Sequence, residues 1–197
     1  MAFELVPFLS FALPTSFSPG PNNISSMAFS MSRGYAKTMP YILGIFTGTL
    51  VMMMVCAGLS YGLASIVPKL TLYLKYIGAA YILYLAYKTL KLNITSEAKE
   101  GVQARFYDGA ILQLVNPKAI FYGMTVYSTF FRVFIENKLQ LVLSALGIAL
   151  FTLLVVSVWA LFGAVINNYL KNLLVKRIFT VIMSGGLVYA AVDILLK

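Results

Sequence analysis

Long uncharged stretches alternate along the chain with short basic or proline-bearing breaks. No ionisable acid or base occurs from Leu5 to Ser32, and Pro14 and the cluster Pro19-Gly20-Pro21-Asn22-Asn23 interrupt that stretch. A second uncharged run, Thr38 to Pro68, carries Gly44, Gly48, Gly58 and Gly62. Pro68-Lys69 marks a short turn. The third run, from about Thr71 to Leu90, has Lys75 and Lys88 near its ends, where long basic side chains can snorkel to headgroups. Lys91 to Tyr107 is polar and holds Glu97, Lys99, Glu100 and Arg105. The fourth run, about Asp108 to Phe131, contains Asn116-Pro117-Lys118. The fifth, about Leu139 to Ile166, is uncharged; a basic loop from Asn167 to Arg177 separates it from the sixth, about Ile178 to Leu196. A helix crosses the hydrocarbon layer with roughly 20 apolar residues. The pattern therefore predicts an all-α integral membrane protein of six transmembrane helices.

The runs fall into two sets of three, separated by the polar stretch, which predicts repeats at 1–96 and 97–197 within a single transmembrane domain. Each half opens with a proline-broken span, continues with a long uncharged one and closes with a shorter one. The third and sixth spans share a glycine-then-tyrosine pattern, Gly78-Ala79-Ala80-Tyr81 and Gly185-Gly186-Leu187-Val188-Tyr189. An odd number of spans per half inverts the second half, and inverted repeats with broken helices are a transporter architecture. The loops after spans one, three and five carry Arg33, Lys37, Lys88, Lys91, Lys99, Arg105, Lys171, Lys176 and Arg177. The opposite side carries Lys69, Lys75, Arg132, Lys138 and Lys197. Basic residues concentrate on the cytoplasmic side, so both termini are expected outside.

Composition agrees. Of 197 residues, 60% are hydrophobic and 11% charged, against roughly 25% charged in soluble domains. The net charge of +9 lies between apolar runs, where anionic headgroups account for it, so nucleic acid is not an expected partner and membrane lipid is. Histidine is absent, which removes the commonest general base and zinc ligand, and Cys56 is the lone cysteine. No Ser-His, zinc or paired-carboxylate cluster is visible, so no enzyme and no cofactor is expected. The first apolar run lacks a basic leader and carries Glu4, so it does not read as a signal peptide.

Candidate chemistry gathers at the two breaks. Proline removes a backbone hydrogen bond, and freed polar groups in lipid cost several kcal/mol each unless a protected cavity receives them. Pro19, Gly20 and Pro21 break span one, and Asn22 and Asn23 follow with two amides. Helix starts there would aim N–H groups and positive dipole ends at a carboxylate, while carbonyl and amide oxygens would take an ammonium. Asn116, Pro117 and Lys118 form the partner motif. An intramembrane lysine normally faces a polar cavity or a partner; Lys118 can hold a substrate carboxylate or change protonation, or else cap carbonyls freed by the break. Gln113, three residues before Asn116, joins these as a candidate, with Tyr122 behind it. A kinked, ligand-free helix is the plainer reading of either motif alone. The spacing of Gly44 with Gly48 and of Gly58 with Gly62 allows close helix packing, internal or across a homodimer. Met52-Met53-Met54 with Cys56 suggests core or lipid packing more than a soft-metal path. Asp108, Asp193 and Glu4 fall near span ends, so no mid-membrane proton carrier is evident.

At these motifs the chain resembles the lysine exporter superfamily in its homoserine and threonine exporter (RhtB-like) branch. The residues that carry the resemblance are Ser18-Pro19-Gly20-Pro21-Asn22-Asn23, Ser32-Arg33-Gly34, Gly44, Gly78-Ala79-Ala80-Tyr81-Ile82-Leu83-Tyr84-Leu85 and Gln113-Leu114-Val115-Asn116-Pro117-Lys118-Ala119. The stretches Cys56 to Ala64 and Tyr122 to Phe130 look most like cysteine and O-acetylserine exporters. The resemblance implies efflux of amino acids or derivatives across the inner membrane, driven as an antiporter by protons. A heavy-metal (cadmium-type) exporter on the same scaffold and a non-transporting membrane scaffold are the alternatives.

Overall fold

The computed structural model describes residues 3–62, 67–91, 105–135, 137–169 and 173–196, and all regular structure among them is helical. The order is α1 (Leu5–Phe17), α2 (Pro21–Arg33), α3 (Tyr35–Gly62), α4 (Val67–Lys91), α5 (Phe106–Val115) and α6 (Pro117–Thr125). A π-helical turn (Val126–Phe130) leads into α7 (Arg132–Ile135), then α8 (Lys138–Tyr169) and α9 (Leu173–Leu196). Within α3, α8 and α9, the segments Tyr35–Leu59, Lys138–Ile166 and Arg177–Leu196 are long and apolar enough to cross a membrane.

Both proline motifs interrupt helices. Ser18 ends α1 in an extended conformation, and α2 restarts behind Gly20 with Pro21 in its first position. Proline suits that position because the first helical N–H has no intrahelical partner. Asn116 is at once the C-cap of α5 and the N-cap of α6, with Pro117 opening α6. Gly34 ends α2 with a φ of 82°, a region that favours glycine, and lets the chain turn straight into α3. One boundary differs from the expectation: Pro68 lies in the first turn of α4 rather than closing span two, for the same reason that Pro21 and Pro117 open their helices. The polar stretch expected to join the halves lies largely outside the described residues.

α2 is buried along nearly its whole length, whereas α1 buries only Phe8 and Ala12. Two apolar cores result. The first joins Ile24 and Phe29 with Tyr41, Ile42, Ile45, Ile82, Leu85, Leu112, Val156, Ala160 and Leu187. The second gathers Phe8, Met52, Met53, Cys56, Tyr122, Val126, Tyr127, Phe131 and Ile148. Along α3 the first core reaches Ile45 and the second begins at Met52; along α8 the second ends at Ile148 and the first resumes at Val156. Between the cores, at Thr49 and Thr152, lies a cavity.

Helices approach closely where glycine removes the side chain. A Cβ on Gly44 would stand 1.8 Å from the Phe106 carbonyl oxygen, and one on Gly109 would stand 2.1 Å from that of Tyr41. The glycines of α3 at 44 and 48 are thus used inside the protein, against α5. Gly58 has open space around it.

Candidate functional site

The cavity has a volume of about 60 Å³ and is lined from α1 by Thr15 and Ser16, from the first break by Gly20, Pro21, Asn22 and Asn23, and from the second by Gln113, Asn116 and Lys118. Thr49 and Met53 of α3, Ala119 and Tyr122 of α6, and Thr152, Val155 and Val156 of α8 complete the wall. Of the residues expected from the sequence, all but Pro19 and Pro117 line this space; Pro19 is exposed, and Pro117 is buried in the first turn of α6 without reaching the cavity wall. Motifs more than ninety residues apart in sequence are joined directly.

The contacts form a chain of amides. Asn22 Nδ2 donates to Gln113 Oε1 at 2.5 Å, and Asn116 Nδ2 donates to Asn22 Oδ1 at 3.3 Å. Asn116 Oδ1 accepts from the backbone N–H of Lys118 at 3.1 Å, the usual way an asparagine caps a helix start. Asn23 Nδ2 donates to the carbonyls of Ser16 (2.8 Å) and Ser18 (3.0 Å), which satisfies oxygens that the break in span one releases. The Lys118 ammonium donates to Ser18 Oγ at 2.8 Å and to the Ser18 carbonyl at 3.0 Å. Gly20 makes room for it, since a Cβ there would stand 3.1 Å from Lys118 Nζ.

Electrostatically the pocket is positive. Two helix N-termini, those of α2 and α6, open onto it, and Gly20 offers no side chain to cap the first. Lys118 adds a full charge, and none of the lining residues is acidic. A partly buried ammonium held by neutral oxygens, beside one helix start without a side-chain cap and a second capped by Asn116, is suited to an anionic group. The oxygens of Asn22, Gln113, Ser16 and Ser18 supply acceptors nearby for a cation. Met53, Val155 and Val156 add apolar surface to the same wall. Among the described residues no group of three or more metal-ligating His, Cys, Asp or Glu side chains comes together. Met52, Met53 and Cys56 are buried in the second core, and Met54 is exposed.

The contributions of Ser18, Thr49 and Thr152 went unanticipated in the sequence. A threonine hydroxyl within an uncharged run was the available signal for the last two.

Residues 13–197 match the profile of LysE type translocators. The chain belongs to that family. It is similar to the cysteine/O-acetylserine efflux proteins of Klebsiella pneumoniae (33% identity over 190 residues, 96% of each chain) and Escherichia coli K12 (33% over 195 residues, 95% of each). The protein of that name from Salmonella typhimurium is 32% identical over 191 residues, 95% of each chain. No solved structure matches. As a LysE-type translocator the chain is a transport protein rather than an enzyme. The family and the apolar helices together support a multi-pass protein of the inner membrane.

Proposed function

We propose that this translocator is a secondary exporter of small amino acids or close derivatives, of the cysteine or O-acetylserine kind, driven by the proton gradient. One observation carries the reading: Lys118 and the starts of α2 and α6 converge on a single cavity with amide and carbonyl oxygens beside them. Lys118 and the two helix N-termini take the substrate carboxylate. The oxygens of Asn22, Gln113 and Asn116 take the ammonium. Asn23 and the Pro19-Gly20-Pro21 break keep the site open at membrane depth, and Pro117 does so from the other half. The names of the relatives support a small substrate, and so does the modest cavity.

The scaffold that fits this reading is six spans in two inverted repeats, 1–96 and 97–197, each opening with a proline-broken span. The most extensive packings are α2 on α8, α3 on α5, α3 on α8 and α4 on α9. In span terms these are one on five, two on four, two on five and three on six. Exchanging the halves maps that set onto itself, which supports a repeat. A metal exporter on the same scaffold is less well served, because the cavity wall offers the Met53 thioether and no Cys, His, Asp or Glu.

The test is efflux from proteoliposomes loaded with labelled amino acids, cysteine and O-acetylserine included, with and without an imposed proton gradient. Gradient-dependent efflux of one compound is expected. Folded protein that moves none of the panel overturns the reading.

A further inference from the structure

Solute bound for export has to enter through one end of the cavity, and close contacts between described residues gather at the end at which α4 finishes and α5 begins. There α5 is pressed against α3 at Gly44 and Gly109, and α2 against α8, where a Cβ on Gly163 would stand 2.2 Å from the Met27 carbonyl oxygen. Backbone contacts this close leave no side chain that can yield, so each pair is tightly packed there. Side chains add links between neighbouring helices at this end, including one from α4, which packs on α9. Ser25 Oγ of α2 and the Tyr41 hydroxyl of α3 lie 2.6 Å apart. Lys88 of α4 donates to Asp108 Oδ2 of α5 at 2.7 Å, with side chains only 12% and 8% exposed.

The pair is held from several directions. The Tyr81 hydroxyl donates to the Asp108 carbonyl at 2.8 Å, and the Arg105 backbone N–H donates to Asp108 Oδ2 at 3.2 Å. Lys88 Nζ stands 5.9 Å and 5.7 Å from the ring centroids of Phe29 and Tyr84. Lys88 therefore does not snorkel to headgroups as its place near a span end suggested; a buried carboxylate on the neighbouring helix takes it instead. Asp108 lies on the same short helix as Gln113, five residues earlier and so roughly 7.5 Å along the axis. A shift of α5 at the ion pair thus reaches the Asn22–Gln113 bond in the cavity.

We propose that Lys88 and Asp108 are the latch of this end of the transport path: paired, they hold it shut, and it opens when they part. The idea rests on the exporter reading for the direction of solute, but the latch itself is judged on access to the cavity. Removing one partner takes this counter-ion from a buried charge, which destabilises the paired arrangement selectively.

The experiment uses the full-length protein with Cys56→Ala and a reporter, Thr152→Cys, in the cavity wall. Vesicles of both orientations are treated with a membrane-impermeant maleimide. The parent is expected to be protected from the end carrying the latch. Asp108→Asn should raise the labelling rate from that end alone by about tenfold or more, because a buried pair is strongly destabilised when one partner is lost. The exchanged pair Lys88→Asp with Asp108→Lys should restore protection. Should Asp108→Asn fail to fold, Lys88→Met tests the latch from the other partner. Unchanged protection in either folded single variant, or equal labelling from both ends, overturns the proposal. Labelling needs no substrate, so a protein that exported nothing would sink the exporter reading while leaving the latch to be judged on its own.

Discussion

Lys118 illustrates how a single residue divides between structure and function. Its ammonium reaches Ser18 across the cavity and so ties the two breaks together, yet both of its partners are neutral oxygens. Replacing it with methionine keeps the length and apolar stem and removes the charge. If Lys118 holds a carboxylate, Lys118→Met should weaken substrate binding by about tenfold or more, as expected for a charge-assisted hydrogen bond worth ~1.5–3 kcal/mol. Proteoliposome uptake kinetics on folded protein decide it, and an unchanged KM removes the charge from the site. Asn22 makes a different case, because it both donates to Gln113 and accepts from Asn116. Asn22→Ala removes the central link of the amide chain and should abolish efflux while the protein still inserts. Wild-type efflux from that variant would leave Asn22 a packing residue.

At the scale of the helices, stability depends on where glycine is used. Gly44 and Gly109 face carbonyl oxygens of the neighbouring helix, so an added methyl meets backbone that cannot rotate away. Gly109→Ala should destabilise by about 1–3 kcal/mol or more, the usual cost of overpacking. Gly58→Ala meets open space and should be neutral or gain up to ~1 kcal/mol from helix propensity. Thermal unfolding of the detergent-solubilised variants separates the two, and equal melting temperatures would mean that α3 and α5 are not packed so closely. The breaks themselves were legible in the sequence, because two prolines around a glycine, and a proline between asparagine and lysine, have few other uses in an apolar run. The rest of the cavity wall was not. α3 and α8 are apolar on most faces, so their sequences carry no periodicity to show that Thr49 and Thr152 point inward. The Lys88–Asp108 pair was equally hidden, since each charge alone read as a span end and only the packing of α4 beside α5 brings them together.

The topology of the whole molecule can be decided by parity. Six crossings would leave both termini on one side, and the excess of basic residues in the loops after spans one, three and five would put that side outside. The interruption between α1 and α2 is the weak point of that count. Each of these helices has 13 residues, or about 20 Å, which is short of the roughly 30 Å hydrocarbon layer, so together they cross once or turn back. If they turned back, the N-terminus would change sides while the C-terminus stayed, and the two halves would no longer be inverted copies. Two fusions to the full chain separate these cases: an enzyme reporter active only outside the cytoplasm, and a fluorescent protein that matures only inside it, each placed at either end. Six inverted spans require the first to be active and the second dark at both termini. Opposite signals at the two ends would make the first break a re-entrant turn, and the cavity would then be lined by a hairpin dipping in from one face rather than by a crossing helix.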